Sequence, residues 1–373
     1  MRIGIVTQEF PPRTGGMAVH AQHVALELAQ TDNVVVFTPP GQWLPDAPFQ
    51  QKAVLGDCVR RDATELAREK VDCWLCLEAT YAAASASLSQ PVCVYFHGYD
   101  FVNPRPSHRW RYIERLRSCP YVWRYYTPLR AAIGRHEVRR GLPNVSRVIT
   151  NSSYCARLIE EMYGRSAKVV HPGVDDSYFQ EKNDGPRSQL RLLTVSRLTS
   201  SDSRKNIDGV LYALSQLVDH MDFCYTVIGE GPDRVRLIEL AANLRLQNRV
   251  RFLGRVSDEE LLRCYRNSDL FILASKASQY DVEGFGIVYI EASASGVPVL
   301  GSRAGGACDA IEDGVNGVLI ADSSPSAIAG GIKRFVATSE LFPPSQVRAF
   351  ANRFRWRSMA RQLRALLSES CEQ

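Results

Sequence analysis

Short apolar runs recur along the chain, each closed by glycine, proline or a polar cluster. In the first half they are Arg2–Thr7, Asn33–Thr38, Cys73–Leu77, Pro91–Phe96 and Arg147–Thr150. Runs this short, bounded by turn signals, predict buried strands rather than helices. Helix-like stretches separate them: one reaching about Gln30, others near Ala63–Glu69 and Ala82–Leu88. The pattern then repeats. Leu190–Val195, Cys224–Ile228, Val250–Gly254, Leu270–Ala274, Val297–Leu300 and Gly314–Ile320 read as strands. Helices are predicted to start at Lys205, around Asp258–Arg266, over Val288–Ser295 and over Ser324–Thr338. Alternating β and α segments imply parallel sheets covered on both faces. Between the two series, the polar run from Gln180 to Ser188 carries Gly185 and Pro186 and predicts a linker. Apolar residues at 350, 354, 359, 363 and 366 have helical spacing and predict a C-terminal helix. The expected divisions are 1–180, 181–349 and 350–373.

A length of 373 residues favours two domains. No run reads as a transmembrane span, and the N-terminus turns polar too soon for a signal peptide. The ten cysteines sit mostly in apolar runs, as small core residues do. Cys73-Trp-Leu-Cys76 has CxxC spacing, but it lies inside a predicted strand, where these two residues face opposite sides. With no disulfide framework, a cytoplasmic location is expected. The net charge of +5 is unevenly spread: Arg105–Arg140 holds ten arginines and two glutamates, interleaved with Trp110, Tyr112, Tyr121, Trp123, Tyr125 and Tyr126. That segment reads as a solvated helical face, or as a surface for anionic lipid headgroups or a lipid-diphosphate acceptor. No nucleic-acid motif accompanies it.

The richest chemistry lies in Ser275–Glu291, after the apolar run 270–274. Glu283 falls at a loop-to-helix junction, and Glu291 follows about two turns later. Gly284 and Gly286 allow a ligand close to the backbone. A helix start adds free N–H donors and partial positive charge. One segment thus offers a carboxylate for hydroxyls, amides for an anion and a second carboxylate. A nucleotide sugar, polyol joined to phosphate, needs that set. Gly15-Gly16, at a strand-to-helix turn, can present amides to phosphate oxygens. Arg197 and Lys205 bracket the loop before a predicted helix, an arrangement suited to a diphosphate. Gly229-Glu-Gly231 lacks the third glycine of a dinucleotide fingerprint, with Arg234 in its place. His97-Gly98-Tyr-Asp100 closes the fourth predicted strand, where α/β sheets bind ligands.

Glu283-x7-Glu291 with Gly284-Phe285-Gly286 resembles the retaining glycosyltransferases of the GT-B fold, family 4. The resemblance implies an α/β architecture of two Rossmann-like parallel-sheet domains, with the C-terminal helix crossing back to the first. It implies that Glu283 takes the sugar hydroxyls and Glu291 the ribose hydroxyls, with the 284–287 amides, Phe285 and Ile287 among them, at the diphosphate. Arg197 and Lys205 would neutralise the leaving nucleotide, with Arg204 a rival to Lys205 because the loop Thr199–Arg204 is slightly long. Gly15 and Gly16 would face the diphosphate, His97 the donor sugar, and Gly229 would lie near the nucleotide. No cofactor and no metal are expected; the donor is a nucleoside-diphosphate sugar. Glu-Gly-Phe-Gly-Ile-Val resembles GDP-mannose enzymes more than the Glu-Pro-Phe-Gly form. The expected partners are that donor and a glycan, lipid-linked or small-molecule acceptor, with peripheral contact to anionic membrane through Arg105–Arg140. A nucleotide-sugar epimerase and a catalytically silent nucleotide-sugar-binding protein are the rival readings. The first needs acid/base carboxylates that have no evident place here; the second would bind without turnover.

Overall fold

The computed structural model describes residues 1–13, 15–106, 120–181, 189–199, 204–276 and 283–372, with the backbone alone at 99 and 120–127. The chain forms two compact units. The first comprises Met1–Gly173 and Trp356–Gln373, the second Val174–Arg355. The chain passes between them at 173/174, not at 180/181, and returns at 355/356, not at 349/350. Most of the predicted linker, 182–188, lies outside the described residues.

In the first unit the strands are β1 (Arg2–Val6), β2 (Asn33–Phe37), β3 (Gln50–Lys52), β4 (Cys73–Cys76), β5 (Val92–Phe96), β6 (Arg147–Thr150) and β7 (Lys168–Val169). They form one parallel sheet in the order β3-β2-β1-β4-β5-β6-β7. Strands covered on both faces must be apolar throughout, and β4 and β5 are fully buried. Gly4 of β1 has a steric cause: a Cβ there would lie 2.5 Å from the ring of Trp74 on β4. The edge strand β3 is polar and gave no apolar signal. The helix predicted near 82–88 is a 3₁₀ helix over Ala79–Ser87, and the one near 63–69 spans Val59–Leu66. Against the 3₁₀ helix packs the helix Pro120–Gly141, whose buried residues include Ala131, Gly134, Val138 and Gly141. A Cβ at Gly141 would lie 1.9 Å from the carbonyl oxygen of Ala82. That face therefore requires glycine.

The second unit holds β8 (Leu190–Val195), β9 (Phe223–Ile228), β10 (Val250–Gly254), β11 (Leu270–Leu273), β12 (Val299–Ser302) and β13 (Gly317–Ile320). Its parallel sheet runs β10-β9-β8-β11-β12-β13. One core holds Leu192, Val210, Leu214, Tyr225 and Ile272. A second holds Phe271, Tyr289, Ile290, Phe350 and Phe354. Strand order reverses between β8 and β11, and between β1 and β4 in the first unit. Loops leaving the carboxyl ends of such strands diverge and open a crevice for ligands.

The continuous helical pattern from Phe350 onward is interrupted. A helix over Pro344–Ala351 passes into a 3₁₀ turn at Asn352–Phe354, and Arg355 is extended. The break is held by pairing: Val174 N donates to Phe354 O at 2.7 Å. Phe350 and Phe354 fill the core of the second unit, whereas Met359, Leu363 and Leu367 bury the face of the next helix, Trp356–Cys371, in the first. That helix packs on the helix Gly16–Leu28 and on β4 and β5. The apolar period is thus two helices serving two cores. Among the described residues no helix is long and apolar enough to cross a membrane.

Candidate active site

At the β8/β11 switch the structure brings the expected acid and cations together. Glu283 is buried, and its Oε2 accepts from Arg204 at 3.2 Å and from the Lys205 ammonium. Both candidate cations therefore meet the same carboxylate oxygen. Burial alone would raise the Glu283 pKa; Lys205, Arg204 and Arg197 outweigh it and hold the carboxyl below its ordinary value. Arg197 and Lys205 also line one shallow cleft with Thr199, Asn206, Asp208 and Asp233. Residues 200–203 of the loop and 277–282 of the acidic segment lie outside the described residues.

Local sequence explains how this cluster is held. Asn206 adopts a left-handed backbone (φ 56°) immediately before the helix Ile207–Ser215. Its buried side-chain amide donates to Ala274 O at 3.0 Å and Ser323 O at 2.8 Å. Those two bonds tie the start of the helix to the ends of neighbouring loops. Gly209 makes room: a Cβ there would lie 2.3 Å from Asn206 Oδ1. Lys276 N donates to Arg204 O at 2.7 Å, and Gly306 N donates to Glu283 O at 2.8 Å. Asn206, Lys276 and Gly306 thus fix the backbones that carry Arg204, Lys205 and Glu283. Asn206 had no distinctive sequence signal beyond standing beside Lys205.

The Gly284–Ile287 turn is shaped from both sides. Gly286 has φ 87° and caps the helix Ile287–Ala294, and a Cβ there would lie 2.6 Å from the Tyr289 ring. Phe285 is buried 5.6 Å from Phe354 in ring-centroid distance, so its side chain is packing. Among the described residues no side chain caps this helix, and no acid stands in its first turn, so its dipole favours an anion there. Further along, Glu291 is half-buried, and its Oε2 accepts from the Tyr265 hydroxyl at 2.8 Å. Burial raises its pKa to about 7, and the Tyr265 bond opposes that rise. Tyr265 is itself fully buried. In the sequence it passes for a core residue of an amphipathic helix.

Gly229 and Gly231 each have a packing cause of their own. A Cβ at Gly229 would lie 1.8 Å from Ser196 O, and one at Gly231 2.0 Å from Leu198 O. Ser196 N donates to Ile228 O and Leu198 N to Glu230 O, both at 2.9 Å. The glycines let this strand of backbone lie against the loop that carries Arg197. The Gly229 amide is engaged with Gly254 O at 2.9 Å.

Gly15, Gly16 and His97 lie in the first unit. Gly15 (φ 150°) caps the helix Gly16–Leu28, with no side-chain cap among the described residues and no acid in the first turn. A Cβ on Gly16 would have no neighbour within 4 Å among the described residues, so packing does not dictate glycine there. His97 follows β5. Its backbone N–H and that of Gly98 donate to Asp100 Oδ1 at 2.8 and 2.9 Å. Its ring lies 4.7 Å from those of His20 and Tyr95, and its Nε2 is buried with no hydrogen-bond partner among the described residues. Burial lowers its pKa to about 4, so the ring is neutral at pH 7. Beside it are two acids, Asp100 of the same polar cluster and Glu78, which the sequence did not single out. Burial raises Glu78 to about 8 and Asp100 to about 6.

The comparisons with known proteins come down on the same side as this geometry. A model of "Glycosyl transferases group 1" matches residues 177–353, and one of "Glycosyltransferase Family 4" matches 14–178. The GDP-mannose-dependent alpha-(1-6)-phosphatidylinositol monomannoside mannosyltransferase of Mycolicibacterium smegmatis is 27% identical, over 98% of this chain and 97% of that protein. The D-inositol 3-phosphate glycosyltransferase of Acidothermus cellulolyticus is 27% identical over 86% and 78%. Among solved structures, sucrose-phosphate synthase from Thermosynechococcus elongatus superposes with TM-score 0.77 at 18% identity, over 99% of this chain and 98% of that one. Anabaena Alr3699/HepE in complex with UDP and glucose gives 0.73 at 21%, over 99% of both. The two family models between them cover both units, and the fold they imply is the one found: this chain belongs to the family 4 glycosyltransferases of the GT-B fold.

Proposed function

We propose that the chain transfers a hexose, mannose first among the candidates, from a GDP-activated donor with retention of configuration and without a metal or cofactor. The observation that carries this is Glu283 bound by Arg204 and Lys205 at the carboxyl edge of the second sheet. A nucleoside diphosphate is a better partner for those cations than a single carboxylate. On entering, it takes over Arg204, Lys205 and Arg197 and frees Glu283 to accept from the sugar hydroxyls. The C–O bond to the diphosphate breaks, and the fixed cations stabilise the charge that grows on the leaving oxygen. The acceptor hydroxyl attacks the face that the diphosphate vacates, and its proton leaves with the departing phosphate oxygen. No side chain serves as nucleophile, and the cations supply the neutralisation a metal gives elsewhere. Glu291, held by Tyr265, takes the ribose. Gly15, Gly16 and His97 are assigned to the donor's diphosphate and sugar on the family pattern alone.

GDP-mannose is favoured because the relative matched over 98% of this chain is GDP-mannose-dependent. That relative also acts on a phosphatidylinositol monomannoside, which favours a lipid-linked acceptor here. Work at the cytoplasmic face of a membrane fits this acceptor. Peripheral docking would use the Arg105–Arg140 segment. Residues 107–119 lie outside the described residues, but the helix Pro120–Gly141 exposes Leu129, His136, Arg139 and Arg140 opposite its packed face. Each basic residue near an anionic surface contributes ~1 kcal/mol, screened by salt. The deciding experiment is a thermal-shift panel of nucleotide sugars, followed by transfer assays with and without chelator. Stabilisation by GDP-mannose and transfer to a lipid-linked acceptor are expected. Binding without transfer to any acceptor would support a silent binding protein instead.

A further inference from the structure

Cys73 and Cys76 do not form a pair. Trp74 of β4 lies under Gly4 and 5.4 Å from Phe37, on one face of the sheet. Strand alternation puts Cys73 and Leu75 on the other. Cys93 of β5 is in register with Leu75, so Cys73 and Cys93 share that face as diagonal neighbours. The helix Trp356–Cys371 covers it. Cys93 Sγ lies 3.4 Å from Ser370 Oγ. Cys371 Sγ lies 3.7 Å from the carbonyl oxygen of Asp72, the residue before Cys73, and donates to it. Burial raises the Cys73 pKa, and the neighbouring Cys371 thiol adds to that rise. Three thiols thus meet at one end of the helix. Cys73 and Cys93 are fully buried, and Cys371 is exposed.

We propose that Cys73 and Cys371 form a reversible disulfide that fastens the last turn of the C-terminal helix to the first sheet. The oxidant is a low-molecular-weight disulfide. The Cys371 thiolate attacks one of its sulfurs, forms a mixed disulfide and releases one small thiol. The Cys73 thiolate then attacks the Cys371 sulfur, closes the protein disulfide and releases the second small thiol. Two protein thiols give up two electrons and two protons, and the small disulfide is reduced to two thiols. Burial, with Cys371, Cys93 and Asp72 adding to it, raises Cys73 above the usual thiol range. Few Cys73 thiols are ionised at neutral pH, so the closing step is slow there and quickens as pH rises. Other charged groups at this end, among the described residues, are Glu372 next to Cys371, and Arg147 and Glu369, which pair with each other at 2.9 Å. Cys93 is engaged with Ser370 and remains reduced.

The far end of the same helix gives the bond reach. Trp356 stacks on His23 at 4.6 Å and lies 5.9 Å from His20, whose ring touches His97. A helix tied at Cys371 holds that aromatic group more firmly against the first unit. The test treats the full chain with oxidised glutathione at pH 7 and pH 9, followed by non-reducing peptide mapping. The expected product links the peptides carrying Cys73 and Cys371, forms faster at pH 9, survives in Cys93→Ala and is missing from Cys371→Ser. The thermal midpoint should rise by several degrees on oxidation and return with a dithiol reductant. Cys371→Ser alters an exposed position and keeps the test sound if Cys73→Ala fails to fold. The proposal is overturned if Cys371 stays as the glutathione mixed disulfide at pH 9, or if it links to Cys93.

Discussion

Replacing Glu283 by glutamine separates the observed role of this residue, anion for the cations, from the proposed one, acceptor for the sugar. The Glu283→Gln side chain would keep the shape and one hydrogen-bond acceptor but remove the charge that Arg204 and Lys205 share. Removing one partner of a buried ion pair costs about 3–5 kcal/mol, because the remaining charge is uncompensated. Arg204 and Lys205 retain 12% and 15% side-chain exposure, and the amide still accepts a bond, so the lower end applies. A loss of about 3 kcal/mol corresponds to a fall of roughly 6–12 °C in the melting midpoint of a unit this size. The sign with pH follows from the lowered Glu283 pKa. Its stabilisation is present above the unfolded carboxyl value and lost as pH falls through the folded one, so the gap from wild type should close in acid. A nucleoside diphosphate supplies the missing negative charge. The variant should therefore bind GDP at least as tightly as wild type and gain more thermal stability from it. Transfer should fall at least tenfold, since a charge-assisted hydrogen bond is worth ~1.5–3 kcal/mol. Calorimetry, binding and initial rates read the three quantities. A variant that melts within a degree or two of wild type, or binds GDP tenfold more weakly, would refute the idea that Glu283 occupies the diphosphate's partners.

The cations should behave differently from the acid they hold. Lys205→Ala and Arg204→Ala should each weaken GDP binding and lower kcat, on the order of 10²-fold in rate for whichever meets the leaving oxygen, which steady-state kinetics on the two variants will assign. Tyr265→Phe removes the bond that opposes the raised Glu291 pKa, so nucleotide affinity should weaken and its pH dependence should move upward from about 7; an unchanged pH profile would remove Tyr265 from the site. Glu78→Gln should gain stability over wild type as pH rises from about 4 to about 8, because an acid with a raised folded pKa loses stabilisation across that window, by up to ~1.4 kcal/mol per pH unit. Denaturant titrations at pH 5 and pH 8 measure the difference, and a gap that does not widen would count against a buried neutral Glu78.

Much of the architecture was legible because its strands are buried on both faces. Runs such as Val92–Phe96 and Leu270–Leu273 are apolar at every position and end at polar turns. The edge strand Gln50–Lys52 offered no such run, since an edge needs no apolar cover. The C-terminal segment misled for a related reason: periodicity reports which residues are buried, not in which core, so Phe350 and Leu363 read as one stripe. In the site, Glu283, Arg197, Arg204 and Lys205 could be named from residue type and position. The pairing of Glu283 with Arg204 and Lys205 could not, since it depends on Asn206, Gly209 and Gly306 holding three separate loops. Tyr265 was invisible because its one polar contact lies beyond an otherwise apolar environment. Gly229 was legible only as part of an incomplete dinucleotide fingerprint, and its close approach to the Ser196 carbonyl was not.

The return of the chain to the first unit at Trp356 has a consequence for biosynthesis. On the ribosome, residues 1–173 emerge first, with the face of β4 and β5 that carries Cys73, Leu75 and Cys93 lacking its covering helix. The whole of Val174–Arg355 must be made before that helix appears. At roughly 5–20 residues per second the interval is on the order of ten to forty seconds. For that time the nascent first unit lacks the helix that covers this apolar, thiol-bearing sheet face in the finished fold. The second unit, contiguous in sequence, has no such wait and can finish folding before the first.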